Sequence, residues 1–202
     1  MFYFVIQYND SYAFREYPRL SRNQRMHQAI LPDMSGRDRP GVRRCDICHE
    51  LVDKWSLPLA GLRLKRRKYD ISITYDGVYV ASRTFVSACD RLNIEGPTFS
   101  LLPEEDDFFS VKFERTVGFD IGKRGTRLLG PCPTCGQCDE VIGANPIFLV
   151  AGAVIGELEI VRTDIEFGSD DGKMYLLLCG AKARQLLSEE GLRGVVLCPL
   201  DS

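Results

Sequence analysis

Apolar positions alternate with polar ones at Leu62, Leu64, Ile71 and Ile73, again at Phe109, Val111 and Phe113, and once more across residues 156–167. A period of two puts one set of side chains on one face of an extended chain, so each stretch predicts one or two strands with a wet face. Shorter apolar, β-prone runs at residues 2–7, 78–80, 98–102, 174–178 and 195–200 predict further strands. The period changes to that of a helix in two places. Phe85, Ala88, Cys89 and Leu92 fall on one face of a helix over residues 85–93, with Ser82 or Thr84 as N-cap and Gly96 as its stop. Ala183, Leu186 and Leu187 do the same over residues 181–190, with Gly191 at the end. Asp76-Gly77 and Asp171-Gly172 mark turns. Residues 21–40 are polar, with Met26, Ile30 and Leu31 as apolar anchors, and read as an irregular segment; residues 50–56 read as a short helix or turn.

The order of these elements repeats. Asp70-Ile71 matches Asp164-Ile165, Asp76-Gly77 matches Asp171-Gly172, and Tyr79 matches Tyr175, at nearly constant spacing. The pattern predicts an α+β protein built from two similar β-β-α-β halves, residues 1–110 and 111–202, joined in one compact unit by internal duplication.

Composition narrows the class of partner. The 202 residues are 45% apolar and 27% charged, with net charge −2, ordinary for a globular protein and without a global drive toward nucleic acid or anionic membrane. The apolar start ends at Gln7, Asn9 and Asp10, too soon for a signal peptide, and residues 147–155 are too short for a membrane span. A cytoplasmic protein without membrane contact is expected.

Eight cysteines change the picture. Cys89, Cys179 and Cys198 stand singly among apolar residues and read as small buried hydrophobes. Cys45-Asp46-Ile47-Cys48 and Cys132-Pro133-Thr134-Cys135 are CxxC pairs, each able to close a tight turn with both sulfurs inward, half of a tetrahedral zinc site. In a chain with no secretory start such pairs favour metal over disulfides. The expected site is a zinc-ribbon-like structural Zn2+ held by Cys45, Cys48, Cys132 and Cys135, with His49 and Cys138 as alternate ligands. It would clasp the two halves together. A redox dithiol at Cys132 and Cys135, or unligated thiols, are the competing readings.

Catalytic patterns find no purchase: His27 has no Ser or Cys partner in sequence, and Gly168-Ser169-Asp170-Asp171-Gly172-Lys173 lacks phosphate-loop spacing and reads as a hairpin turn. The basic run Arg63, Lys65, Arg66, Arg67 and Lys68 offers an alternative function, a zinc-ribbon nucleic-acid-binding module, although on an alternating strand it reads better as an exposed face. Trp55 reads as core packing beside the first cysteine turn.

The two separated CxxC pairs, the second as Cys132-Pro133-Thr134-Cys135-Gly136, and the ending 183–194 with its Gly191-Leu192-Arg193-Gly194 resemble the double-CXXCG motif proteins, paralogues abundant in myxobacteria. The ending is also similar to immunity proteins of bacterial polymorphic toxin systems. One departure stands out: His49 replaces the glycine after the first pair. The resemblance implies a non-enzymatic immunity protein that binds and neutralises a cognate secreted toxin. For a basic toxin, the acidic run Glu104, Glu105, Asp106 and Asp107 would be the partner-binding face, because complementary charge speeds association.

Overall fold

A computed structural model describes residues 1–8, 15–16, 37–38, 41–55 and 59–200. Of the polar segment 21–40 only residues 37–38 are described, and His27, Met26, Ile30 and Leu31 lie outside the described residues. Strands β1 (Phe2–Tyr8), β2 (Arg15–Glu16), β3 (Arg37–Asp38), β4 (Ile71–Ile73) and β5 (Tyr79–Ser82) precede helix α1 (Arg83–Leu92). Then come β6 (Pro97–Leu101), β7 (Phe108–Phe113), β8 (Thr116–Val117), the short helix α2 (Ile121–Arg124), β9 (Arg127–Pro131), β10 (Cys138–Ile142), β11 (Ile160–Ser169) and β12 (Met174–Cys179). Helix α3 (Ala181–Glu189) and β13 (Val195–Pro199) close the chain.

Eleven of these strands form one mixed sheet, ordered β6-β7-β5-β4-β1-β12-β11-β10-β9, with β13 on β1 and β8 on β11; β2 and β3 pair separately. The N-terminal strand is the hinge of this order. It runs parallel to β4 on one side and antiparallel to β12 and β13 on the other, so the sheet crosses the boundary between residues 110 and 111 without a break. Two units share one arrangement. The β4–β5 hairpin leads into α1 and returns as β6, with β7 interposed antiparallel between β5 and β6. The β11–β12 hairpin leads into α3 and returns as β13, with β1 interposed in the same sense.

Side chains alternate across the sheet and both faces are covered. Tyr79, Ala81, Leu177 and Cys179 join the core beneath α1 and α3, with Phe85, Ala183 and Leu187 of the helices. Val80 faces the opposite way into a cluster with Leu51, Leu62, Leu64 and Phe108, and Leu178 into a third with Val117, Phe119, Val141 and Phe167. Helix α1 starts where the Ser82 hydroxyl accepts the N–H of Phe85 at 3.3 Å and ends at Asn93 in the left-handed region.

Locally, one expectation changes, one open choice resolves to a turn and one hairpin is new. The alternating stretch 61–70 buries Leu62 and Leu64 and exposes Arg63 and Lys65, yet only Ile71–Ile73 forms a strand. The Leu64 N–H donates to the Glu105 carboxylate at 2.8 Å instead of to a neighbouring strand. Residues 50–55 make no helix: Leu51 bridges Arg44, and Asp53 closes a turn on the N–H of Trp55. The hairpin β9–β10 around the second cysteine pair has no apolar alternation to announce it. Among the described residues no helix is long and apolar enough to cross a membrane.

Candidate metal centre

Each CxxC pair folds into the same turn. The N–H of Cys45 donates to Glu50 C=O at 2.8 Å, and that of His49 to Cys45 C=O at 2.9 Å. In the second turn, Cys132 donates to Gln137 C=O at 2.8 Å and Gly136 to Cys132 C=O at 2.9 Å. The amides inside each turn point at sulfur. Cys45 faces the N–H groups of Cys48 and Ile47, and Cys132 those of Cys135 and Thr134. Cys48 faces the N–H of Glu50, and Cys135 that of Gln137. A turn with this wiring presents two sulfurs on one side with their negative charge already solvated by backbone dipoles.

The fold then sets the turns face to face. Cys45 and Cys132, 87 positions apart, have sulfurs 3.9 Å apart, and Cys48 and Cys135 have theirs at 3.4 Å. All four sulfurs lie within 4.8 Å of one another. Four thiolates around zinc, at about 2.3 Å each, stand about 3.8 Å apart at the corners of a tetrahedron. The group therefore has the size and donor set to hold a metal ion. Cys45 and Cys132 are buried, Cys48 and Cys135 half-buried. His49 is exposed and Cys138 opens β10; neither belongs to the group of four. Pro131 ends a strand and Cys138 begins one, so Cys132 and Cys135 lie in a hairpin and not at the strand-to-helix turn of a dithiol oxidoreductase.

Electrostatics within the group favours a cation. The amides of Cys135 and Thr134 pull the Cys132 thiol down to about 6, and those of Cys48 and Ile47 lower Cys45. The N–H of Glu50 acts likewise on Cys48, but burial and the sulfurs of Cys135, Cys132 and Cys45 outweigh it and push that thiol up to about 12. Each thiolate formed makes the next more costly, and a dication at the centre removes that cost.

Ion pairs tie the first turn to the β11–β12 hairpin. Arg44 holds Asp171 through two bonds of 2.8 and 2.9 Å and also donates to His49 C=O at 2.8 Å. Lys54 donates to Glu166 at 2.7 Å, and Lys173 pairs with Glu50 at 2.8 Å. Trp55, half-buried, stacks on Tyr175 at 5.9 Å, with the Arg162 guanidinium 4.0 Å from the Tyr175 ring centre. Sequence reasoning placed Trp55 here but missed all three ion pairs, because each joins residues without any local pattern.

The acidic run divides. Glu105 is 5% exposed and turns inward, accepting from Leu64 N–H and from Arg67 at 2.7 and 2.9 Å. Glu104, Asp106 and Asp107 remain at the surface, where Glu104 pairs with Arg63 at 3.3 Å and Asp107 with Arg83 at 2.9 Å. The acidic and basic runs thus answer each other across the fold. Cys89 and Cys179 are buried core residues whose thiols burial pushes up to about 12, and Cys198 is half-buried in β13.

No protein-family model, curated protein or solved structure matches the chain.

Proposed function

We propose that this protein is a cytoplasmic immunity protein, a non-enzymatic binder that neutralises a cognate secreted toxin and is braced by a structural Zn2+ on Cys45, Cys48, Cys132 and Cys135. The observation that carries the structural role of the metal is the closure of the sulfur group. Four sulfurs from two turns converge within 4.8 Å, which fills every position of a tetrahedral ion and leaves none for water or substrate. A metal so enclosed braces a fold and leaves function to surfaces. The shared hairpin–helix–strand arrangement of the two units and the identical wiring of the two turns support descent of both halves from one duplicated unit. The ion would then sit between equivalent elements, as Tyr79 and Tyr175 meet through the bond from the Tyr79 hydroxyl to the Tyr175 carbonyl at 2.5 Å.

The immunity role rests on the resemblance of the CxxC turns and the Gly191–Gly194 ending. The contact face expected at the acidic run narrows to Glu104, Asp106 and Asp107, with Glu105 anchoring the loop beneath. Pairing of Arg63 and Arg67 with Glu104 and Glu105 takes support from the nucleic-acid reading. A cleft of about 480 Å³ beside Asp107 includes Arg67, Arg83 and Arg193, each already opposite a carboxylate.

Co-expression with the polypeptide encoded by the neighbouring gene tests the proposal. The chain is expected to restore growth and to co-elute with that polypeptide as a stoichiometric complex. Absence of both rescue and complex overturns the immunity role. Metal analysis is expected to return one zinc per chain, and metal-free protein after gentle purification overturns the clasp.

A further inference from the structure

Lys173 follows the 3-10 turn Asp170–Gly172 and is 3% exposed. Its ammonium donates to the Glu50 carboxylate at 2.8 Å and to the carbonyl of Cys138. These two partners lie at the closing ends of the two cysteine turns. Glu50 closes the first cysteine turn: its carbonyl accepts the N–H of Cys45, and its own N–H faces the sulfur of Cys48. Gln137 closes the second turn in the same two ways, and Cys138 is the next residue. One buried cation therefore bonds to the closing end of both half-sites. The backbone of Lys173 is itself held, since its carbonyl accepts from Lys54 at 2.6 Å and its N–H bonds to Asp170 C=O at 3.3 Å.

We infer that Lys173 is a positioning residue for the metal, setting the separation of the two cysteine turns before an ion enters. The inference rests on the reading of Cys45, Cys48, Cys132 and Cys135 as ligands. The physical reason is preorganisation. Two turns from distant segments lose freedom when a metal draws them together, and a bond that has already fixed their spacing removes that loss from the binding step. A buried ammonium does this well, because its hydrogen bonds are charge-assisted and leaving any of them unmade is costly. The hairpin ladder alone reaches only the second turn, through Glu140 on Ser169 and Val141 on Gly168. Lys173, beside the Arg44–Asp171 and Lys54–Glu166 pairs, extends the same hairpin to the first, and its ammonium also bonds to the end of the second.

The experiment measures the affinity of the full-length protein for Zn2+ and Co2+ by competition with a chromophoric chelator, beside the urea stability of the metal-free protein. Lys173→Met is expected to weaken metal binding about 10- to 100-fold. Should that variant fail to fold, Glu50→Gln removes the charge and keeps the shape, with a loss of about 10-fold expected. Glu105→Gln breaks the pair of another buried carboxylate, with the more exposed Arg67, remote from the cysteines and is expected to lower stability while leaving the metal affinity of the folded protein unmoved. Wild-type affinity in Lys173→Met or, where that variant does not fold, in Glu50→Gln overturns the inference. So does an equal loss in Glu105→Gln, which would make Lys173 a general stabiliser. A wild-type protein that binds neither ion overturns the metal reading itself and the inference with it.

Discussion

His49 and Gly136 occupy the same place in the two cysteine turns. Each donates its N–H to the carbonyl of the cysteine four residues before it, and each has positive φ, +61° for His49 and +75° for Gly136. The turn thus survives the replacement of its glycine, with the strain of a left-handed backbone carried by a side chain that points to solvent.

His49→Gly is expected to stabilise the protein by about 0.5–1 kcal/mol, the relief of left-handed strain exceeding the added freedom of the unfolded chain. The shift is read as a higher urea midpoint. A lower midpoint would show that the His49 ring contributes something its exposed position does not suggest.

Removing the metal is expected to weaken the protein without erasing its sheet, because most residues of the three apolar clusters lie on elements away from the two cysteine turns. Zinc at a thousandfold excess over its dissociation constant adds about 4 kcal/mol of stability. Far-ultraviolet circular dichroism after chelation is expected to keep its β signal, with a lower thermal midpoint that returns on adding zinc. Cys48→Ser should abolish that zinc-dependent rise.

Asp70 gives the acid limb a specific origin. Burial pushes its carboxyl up, but the backbone N–H of Arg193 at 2.8 Å, that residue's guanidinium at 3.3 Å and the Ser82 hydroxyl at 2.9 Å hold it below its ordinary value. A lowered folded-state pKa means that this stabilisation is complete above the unfolded value of about 4 and disappears as pH falls through the lower folded value. Asp70→Asn is expected to lose about 2 kcal/mol near neutral pH and progressively less below about pH 4. A difference that stays constant down to pH 2 would remove Asp70 from the acid transition.

Within the acidic run, Glu105→Gln is expected to lower stability by about 2 kcal/mol, since the Arg67 guanidinium holds the Glu105 carboxyl below its usual range against the opposing push of burial. Asp106→Lys, at the surface, should change stability by less than about 0.5 kcal/mol. Partner affinity should respond the opposite way, falling on reversal of Glu104, Asp106 and Asp107. Equal stability losses at Glu105 and Asp106 would contradict the inward turn of Glu105.

Much of this fold was legible because its signals are local. The hydroxyl of Ser82, one of two N-cap candidates with Thr84, caps α1, and the apolar faces of α1 and α3 enter the core as their spacing requires. The hairpin β9–β10 was not legible: all five β9 residues are exposed, and β10 buries only Val141, so neither carries an alternating pattern. The stretch 61–70 shows the converse, an alternation that is real in burial yet makes no ladder, because a carboxylate from a distant loop takes the bond a strand would have made.

By itself the sequence determined the two cysteine turns, since four backbone atoms and two sulfurs within a few residues suffice to build each. The pairing of the turns is a matter of tertiary structure. It depends on β1 leaving the N-terminus to lie between β4 and β12, and on Lys173 reaching Glu50 and Cys138 from the far hairpin. The same holds for Glu105, which reads as one of four equivalent acids until folding buries it against Arg67. A period or a cap is written in neighbouring residues, whereas a charge finds its partner only after the chain has closed around both.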